Sequence, residues 1–319
     1  MSDLRIVYFG TPRFAVPTLD RLLGAFDVVA VVTQPDRPFG RGQKTNPGPV
    51  KATAVSRDVP VLQPARLGEK EFLEALGQLR PDLGVVAAYG KILPDTVLSL
   101  PRLGFVNVHA SILPRWRGAS PIHRAVMAGD SVTGVSIMRV VRELDAGGVF
   151  AVVTRPIGPD ETSEEVEADL ARTGADLLVS VVSDLERGSA CETPQSEQGV
   201  TYAPRLTRDE GAIDWTSPAA AIHNQVRGLQ PWPHAFTSLG GVRVIVLQSA
   251  LPGTVGVGPL QARPGEVVSA GHEIHVVAGD ERTLSLRRLQ LEGRRPVSAR
   301  EFSSGLRLHP GARFGTWEP

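Results

Sequence analysis

From Leu4 to Leu185 short apolar runs alternate with helical patterns, and this alternation limits the folds open to the chain. Leu4–Phe9 is apolar and ends in Gly10-Thr11-Pro12, after which a helical pattern continues through Leu23. Val28–Val32, Leu83–Ala87, Phe105–Val108 and Val135–Val140 are further apolar runs, with helical spacing at Glu69–Leu79 and Pro121–Ala128 between them. Glu164–Leu185 predicts one long helix. Strand–helix alternation builds a parallel sheet with helices packed on both faces. Beyond Tyr202 the pattern changes to short β runs broken by turns: Val242–Gln248, Gly265–Ser269, Ile274–Ala278 and Leu284–Leu291, with Pro252–Gly265 rich in Gly and Pro. The expected fold class is therefore α/β: a Rossmann-like, mostly parallel sheet with helices on both faces, followed by a small C-terminal β-barrel of OB-fold-like type. The polar stretch Gly188–Val200 reads as a linker, giving expected boundaries of 1–189, 190–207 and 208–319.

In sheets of this kind ligands bind beyond the carboxyl ends of the strands. Two candidate groups fall there. Asn107 and His109 end the run Phe105-Val106-Asn107-Val108-His109, and Asp145 follows Val135–Val140. Side chains at i and i+2 of a strand share a face, so Asn107 and His109 aim a hydrogen-bond donor and a titratable base at one point. Acyl transfer to an amine needs such a pair: the donor meets the developing oxyanion and the base moves the amine proton. Residue types alone also admit a satisfied core histidine at position 109 and a turn-forming Asp145 before Gly147-Gly148.

Several other readings are excluded. A dinucleotide-binding turn needs Gly-x-Gly-x-x-Gly, and Gly10-Thr11-Pro12-Arg13-Phe14-Ala15 lacks its second and third glycines. No Walker loop is present. Cys191 is the only cysteine and the seven His are scattered, so no metal site is expected. No apolar run reaches membrane-spanning length, and the N-terminus enters a strand at once without a signal or transit pattern. A cytoplasmic monomer without membrane contact is the expectation. The formal net charge is zero, yet from Arg282 onward eight Arg stand against three Glu, an excess of five positive charges. Such a segment suits phosphate contacts, or simply a solvated basic face.

Asn107, His109, Ser111-Ile112-Leu113-Pro114 and Gly118 resemble the signature of 10-formyltetrahydrofolate-dependent formyltransferases, Asn-x-His-x-Ser-Leu-Leu-Pro-x-x-x-Gly. Ile112 is the one departure. The family's second element is matched by Gly134-Val135-Ser136-Ile137-Met138 and then Leu144-Asp145-Ala146-Gly147, with Ser136 and Ala146 as mild departures. Among families sharing this core, three further stretches resemble the methionyl-tRNA formyltransferases. They are the loop Thr33–Lys44, the junction Thr201-Tyr202-Ala203-Pro204-Arg205-Leu206, and Arg227-Gly228-Leu229-Gln230-Pro231-Trp232-Pro233. Arg205 stands where that family usually has Lys.

The resemblance implies a folate donor, 10-formyltetrahydrofolate, and initiator methionyl-tRNA as acceptor. It implies Asn107, His109 and Asp145 as catalytic residues. It places the donor against Tyr89, Gly90, Ile92, Ser111, Leu113, Pro114, Gly118 and Val140. It assigns tRNA contacts to Arg37, Arg41 and Lys44 in the loop, to Arg205 at the junction, and to Arg294 and Arg295 in the basic segment. Residues 1–189 would then be the catalytic domain and 208–319 a tRNA-binding domain. A sugar-nucleotide N-formyltransferase would keep the same three catalytic residues without needing the Arg41 loop. A tRNA-binding protein with a degenerate core would not be expected to keep all three.

Overall fold

The computed structural model describes residues 3–36, 38–39, 44–45, 47–251 and 262–317. The chain forms two compact units. The first is Met1–Pro121, Thr133–Arg155 and Glu167–Ala203; the second is Ile122–Val132, Pro156–Val166 and Pro204–Pro319.

Among the described residues the first unit carries a seven-stranded sheet. Its strands are β1 (Arg5–Gly10), β2 (Asp27–Val32), β3 (Val61–Leu62), β4 (Leu83–Ala87), β5 (Phe105–His109), β6 (Val132–Arg139) and β7 (Val149–Pro156), in the order β7-β6-β5-β4-β1-β2-β3. The pairs β1–β2, β1–β4, β2–β3 and β4–β5 are parallel, and β5–β6 is antiparallel. The helices of this unit are α1 (Val16–Ala25), α2 (Pro49–Ser56), α3 (Lys70–Gln78), α4 (Asp95–Leu98) and, from Glu167 onward, α6 (Ser163–Arg187), whereas α5 (Pro121–Ala128) falls in the second unit from Ile122 onward.

Central strands covered on both faces are apolar throughout instead of alternating. β1 is of this type, buried from Ile6 to Gly10. Its alternate side chains meet different helices. The Tyr8 hydroxyl donates to the Ala15 carbonyl beside α1 at 2.5 Å, whereas Val7 and Phe9 pack with Phe72 and Leu76 of α3 and Val97 of α4. Phe9 meets Tyr89 and Phe105 edge-on, at centroid distances of 5.3 and 5.5 Å. Gly84 on β4 lies under the Phe105 ring, where a Cβ would come within 2.1 Å of it. This fit fixes how β5 lies on β4, and so where Asn107 and His109 emerge.

The polar stretch after α6 is tied to the first unit. Thr193 and Val149 exchange two backbone hydrogen bonds, and Tyr202–Ala203 pairs in parallel with Arg117–Gly118.

The second unit is built on α7 (Ala219–Gly228) and the strands β8 (Ala235–Leu239), β9 (Val242–Ala250), β10 (Val267–Ala270), β11 (Ile274–Val277), β12 (Thr283–Leu291) and β13 (Phe314–Gly315). They run in the antiparallel order β10-β11-β12-β9-β8-β13. The two ends of this sheet meet. The amide of Val267 donates to Ala312, Gly311 to Val267 and Phe314 to Gly265, each at 2.8 Å. The sheet therefore curls into a barrel around Trp215, Ile222, Val244, Val246, Leu284, Leu286, Phe302 and Phe314. α8 (Ala299–Leu306) starts with a reciprocal cap between Ser298 and Glu301.

α7 buries two basic side chains, and this explains why Pro156–Val166 belongs to the second unit. His223 Nε2–H donates to the Pro159 carbonyl at 2.9 Å, and the Ser249 hydroxyl is 2.9 Å from Nδ1. The Arg227 guanidinium donates to the Glu161 and Gly158 carbonyls at 3.0 and 3.3 Å. Burial lowers the pKa of both groups.

Candidate active site

Asn107 and His109 lie at the end of β5, paired across to Met138 and Ser136 of β6. Asn107 is half-buried, and among the described residues its amide has no hydrogen-bond partner. His109 is only 4% exposed. Its Nε2 lies 2.9 Å from the Trp116 carbonyl, which can only accept. Nε2 must then carry a hydrogen, which leaves Nδ1 as the basic nitrogen of the neutral ring. Nδ1 faces Asp145 Oδ2 at 3.6 Å, too far for a hydrogen bond but close for charge.

β6 runs antiparallel to β5, so its carboxyl end lies near the start of β5: Arg139 pairs with Val106. Asp145 reaches His109 because the chain after Arg139 turns back toward the far end of β5. Three features hold the turn. Asp145 adopts φ 47°, a left-handed conformation that Asp tolerates better than most residues. Gly147 sits where a Cβ would meet the Arg139 carbonyl oxygen at 2.0 Å. The Gln195 amide donates to the carbonyls of Asp145 and Gly147 at 2.8 and 2.7 Å. The Asp145 carboxylate then accepts a charge-assisted bond from the Gly118 amide at 2.8 Å.

The loop from Ser111 to Gly118 is braced from below. Ser111 is fully buried, and its hydroxyl donates to the Arg115 carbonyl at 2.6 Å. The Ser136 hydroxyl donates to the Ser111 carbonyl at 2.7 Å and accepts from the Leu113 amide at 3.1 Å. Leu113 is buried and the loop continues through Pro114 to Gly118, at φ 124°. A Cβ on Gly118 would lie 2.7 Å from the Ala203 carbonyl oxygen, so only glycine fits.

The other sequence-derived residues divide into groups. Tyr89 is buried, and burial pushes its phenol pKa up to about 12. Its hydroxyl is buried without a hydrogen-bond partner. Gly90 follows at φ 81°, and Val140 packs against the same apolar cluster as Tyr89. Ile92 is 82% exposed, and Leu144 on the Asp145 turn is 56% exposed. The two segments thus share a root in the core and present bare apolar side chains at their tips. Arg37 and Arg41 lie outside the described residues. Lys44 belongs to the short strand Lys44–Thr45, which pairs with Pro38–Phe39. In the second unit Arg205 is exposed. Arg294 and Arg295 are exposed on a cleft of about 580 Å³ that Leu291, Val297, Phe302 and Leu306 also line. Among the described residues no group of three or more His, Cys, Asp or Glu is placed to hold a metal.

Sequence reasoning missed two contributors: the Trp116 carbonyl and Gln195. A backbone carbonyl carries no sequence signal. Gln195 lies in a stretch whose composition reads as linker.

Comparison with known proteins agrees with this geometry. Residues 4–182 match the formyl transferase family, and residues 205–307 match the formyl transferase C-terminal domain. The methionyl-tRNA formyltransferase of Geobacter sulfurreducens is 41% identical over 316 residues, 99% of this chain and 98% of that protein. The methionyl-tRNA formyltransferase of Moorella thermoacetica is 44% identical over 313 residues, 98% and 99% of the two chains. Among solved structures, the sugar 3N-formyl transferase WlaRD superposes with a TM-score of 0.67 at 15% identity, covering 92% of this chain and 100% of its own. At that identity the likeness speaks for fold alone. The two domain matches and the full-length relatives together show that this chain belongs to the formyl transferase family.

Proposed function

We propose that this protein transfers the formyl group of 10-formyltetrahydrofolate to the α-amine of methionine on initiator tRNA. The observation that carries the reading is the approach of Asp145 to His109 on the strand that also carries Asn107, in a chain 40–44% identical, end to end, to methionyl-tRNA formyltransferases. The amine nitrogen attacks the formyl carbon. Asn107 donates to the carbonyl oxygen as it gains negative charge. His109 takes the proton lost by the amine, and the Asp145 carboxylate balances the charge the ring acquires. Collapse breaks the bond from the formyl carbon to the folate nitrogen, which leaves with a proton as tetrahydrofolate. The product is N-formylmethionyl-tRNA, used in translation initiation in the cytoplasm.

Exposed Ile92 and Leu144 suit a flat donor ring, Tyr89 and Val140 packing together in the core at the roots of their segments; Gly90, Ser111, Leu113, Pro114 and Gly118 would complete the donor site. We assign residues 1–189 to catalysis and 208–319 to tRNA binding, with 190–207 connecting them in sequence while remaining folded onto the first unit as far as Ala203. Arg41 and its neighbours Arg37 and Lys44 would position the acceptor stem. Arg205, Arg294 and Arg295 would meet tRNA phosphates.

One experiment tests both acceptor and surface: kcat/KM for methionyl-tRNA and for a UDP-aminosugar across a salt series. The tRNA should be formylated efficiently, with affinity falling as salt rises because phosphate contacts release counterions. Arg294→Ala and Arg295→Ala should make that slope shallower. A preference for the aminosugar, or a flat salt response, would favour the sugar-nucleotide reading.

A further inference from the structure

We propose that Gln195 is a positioning residue of this active site, acting through the main chain that carries Asp145. The proposal rests on the catalytic reading of Asp145 above. Gln195 lies in the polar stretch before Tyr202, outside the stretches through which the sequence resembles the family. Yet its side chain is the most completely used polar group near the site. Nε2 donates to the carbonyls of Asp145 and Gly147 at 2.8 and 2.7 Å. Oε1 accepts from Arg117 Nη2 and Nε at 2.7 and 3.1 Å. A carboxamide has two N–H donors and two lone pairs, and all four are spent. The amide's orientation is unambiguous, because carbonyls only accept and a guanidinium only donates.

These four bonds bracket one catalytic contact. Asp145 Oδ2 meets the Gly118 amide at 2.8 Å and faces His109 Nδ1 at 3.6 Å. Arg117 immediately precedes Gly118, and Gly147 lies two residues beyond Asp145. Gln195 therefore grips the backbone on one side of the Asp145–Gly118 bond and the preceding side chain on the other. The turn it holds needs support, since Asp145 sits at φ 47°. Gln195 is itself anchored on both flanks. Thr193 exchanges backbone bonds with Val149, and Thr201 accepts from the Trp116 amide at its hydroxyl and from the Arg117 amide at its carbonyl, each at 2.9 Å. The stretch is a clamp across the two loops that carry the catalytic groups. Gln195 touches none of the reacting atoms; it sets where the carboxylate points.

The test uses the full-length chain with Gln195→Ala and Gln195→Glu, each alone and combined with Asp145→Asn. Gln195→Ala should lower kcat by roughly 10- to 100-fold, the scale of a misplacement near 1 Å, with little change in KM for either substrate. Gln195→Glu separates the two halves of the clamp. A carboxylate keeps the bonds from Arg117 but has no donor for the two carbonyls, so its loss should match or exceed that of Ala. On the Asp145→Asn background either change should cost less than about 3-fold, because the group being positioned is already impaired. Hydrogen exchange needs no turnover: amides of the segments around Gly118 and Gly147 should exchange faster in Gln195→Ala, with the rest of the chain protected as before. A full-activity Gln195→Glu would overturn the proposal, as would losses that multiply undiminished on Asp145→Asn, or unchanged local exchange. Failure of the wild-type chain to formylate methionyl-tRNA would instead count against the acceptor, and the exchange measurement would still decide the role of Gln195.

Discussion

Replacing His109 with Ala should lower kcat by about 10²- to 10⁴-fold, the range over which a positioned general base acts. The direction follows from the ring's two contacts. Nε2 is committed to the Trp116 carbonyl, and Nδ1 faces the only described carboxylate that bonds the Gly118 amide. Alanine removes the proton acceptor and leaves Asp145 facing a void. KM for tRNA should change little, because the ring lies within the first unit at 4% exposure and the proposed mechanism sets it on the amine rather than the polynucleotide. Single-turnover formylation with saturating donor reads the chemical step directly. Near-normal turnover in His109→Ala would remove the ring from the reaction.

Replacing Asn107 with Ala should cost about 10²- to 10³-fold in kcat, the usual effect of deleting one donor to an oxyanion. Its amide is half-buried on β5 without a partner among the described residues. Removing it should not leave another buried group unsatisfied, so stability should change little while the transition state loses its donor. Asn107→Asp should be at least as damaging, since it sets a negative charge where negative charge develops. Thermal unfolding alongside kcat separates the outcomes. A Tm that falls sharply with a modest kcat loss would make Asn107 a structural residue.

The first unit was largely legible because buried central strands spell themselves out as continuous apolar runs, as β1 and β2 do. The pairing of Asn107 with His109 was legible for a related reason: a strand's period of two fixes which side chains share a face. The meeting of His109 with Asp145 could not be derived from strand ends alone. β6 is antiparallel to β5, and a turn held by Gln195 brings the carboxylate back. Gln195 was hidden for a plain physical reason. Its work is done by hydrogen bonds to distant backbone and guanidinium groups, which leave no periodicity and no hydrophobic pattern. Pro156–Val166 falls in the second unit for a similar reason. The donors of His223 and Arg227, some sixty residues later, satisfy carbonyls between Gly158 and Glu161. The curl of the C-terminal sheet depends on contacts between Gly265–Val267 and Gly311–Phe314, far apart in sequence and unmarked by any turn.

The central claim is that Asn107, His109 and Asp145 act as one catalytic group. The most direct measurement is a double-mutant cycle of His109→Ala and Asp145→Asn, read as the single-turnover rate of formyl transfer to methionyl-tRNA. Once the ring is gone the carboxylate has no charge to balance. The double variant should therefore be about as slow as His109→Ala alone, well short of the product of the two single losses. Losses that multiply in full would contradict the account, because they would mean that His109 and Asp145 serve the reaction independently.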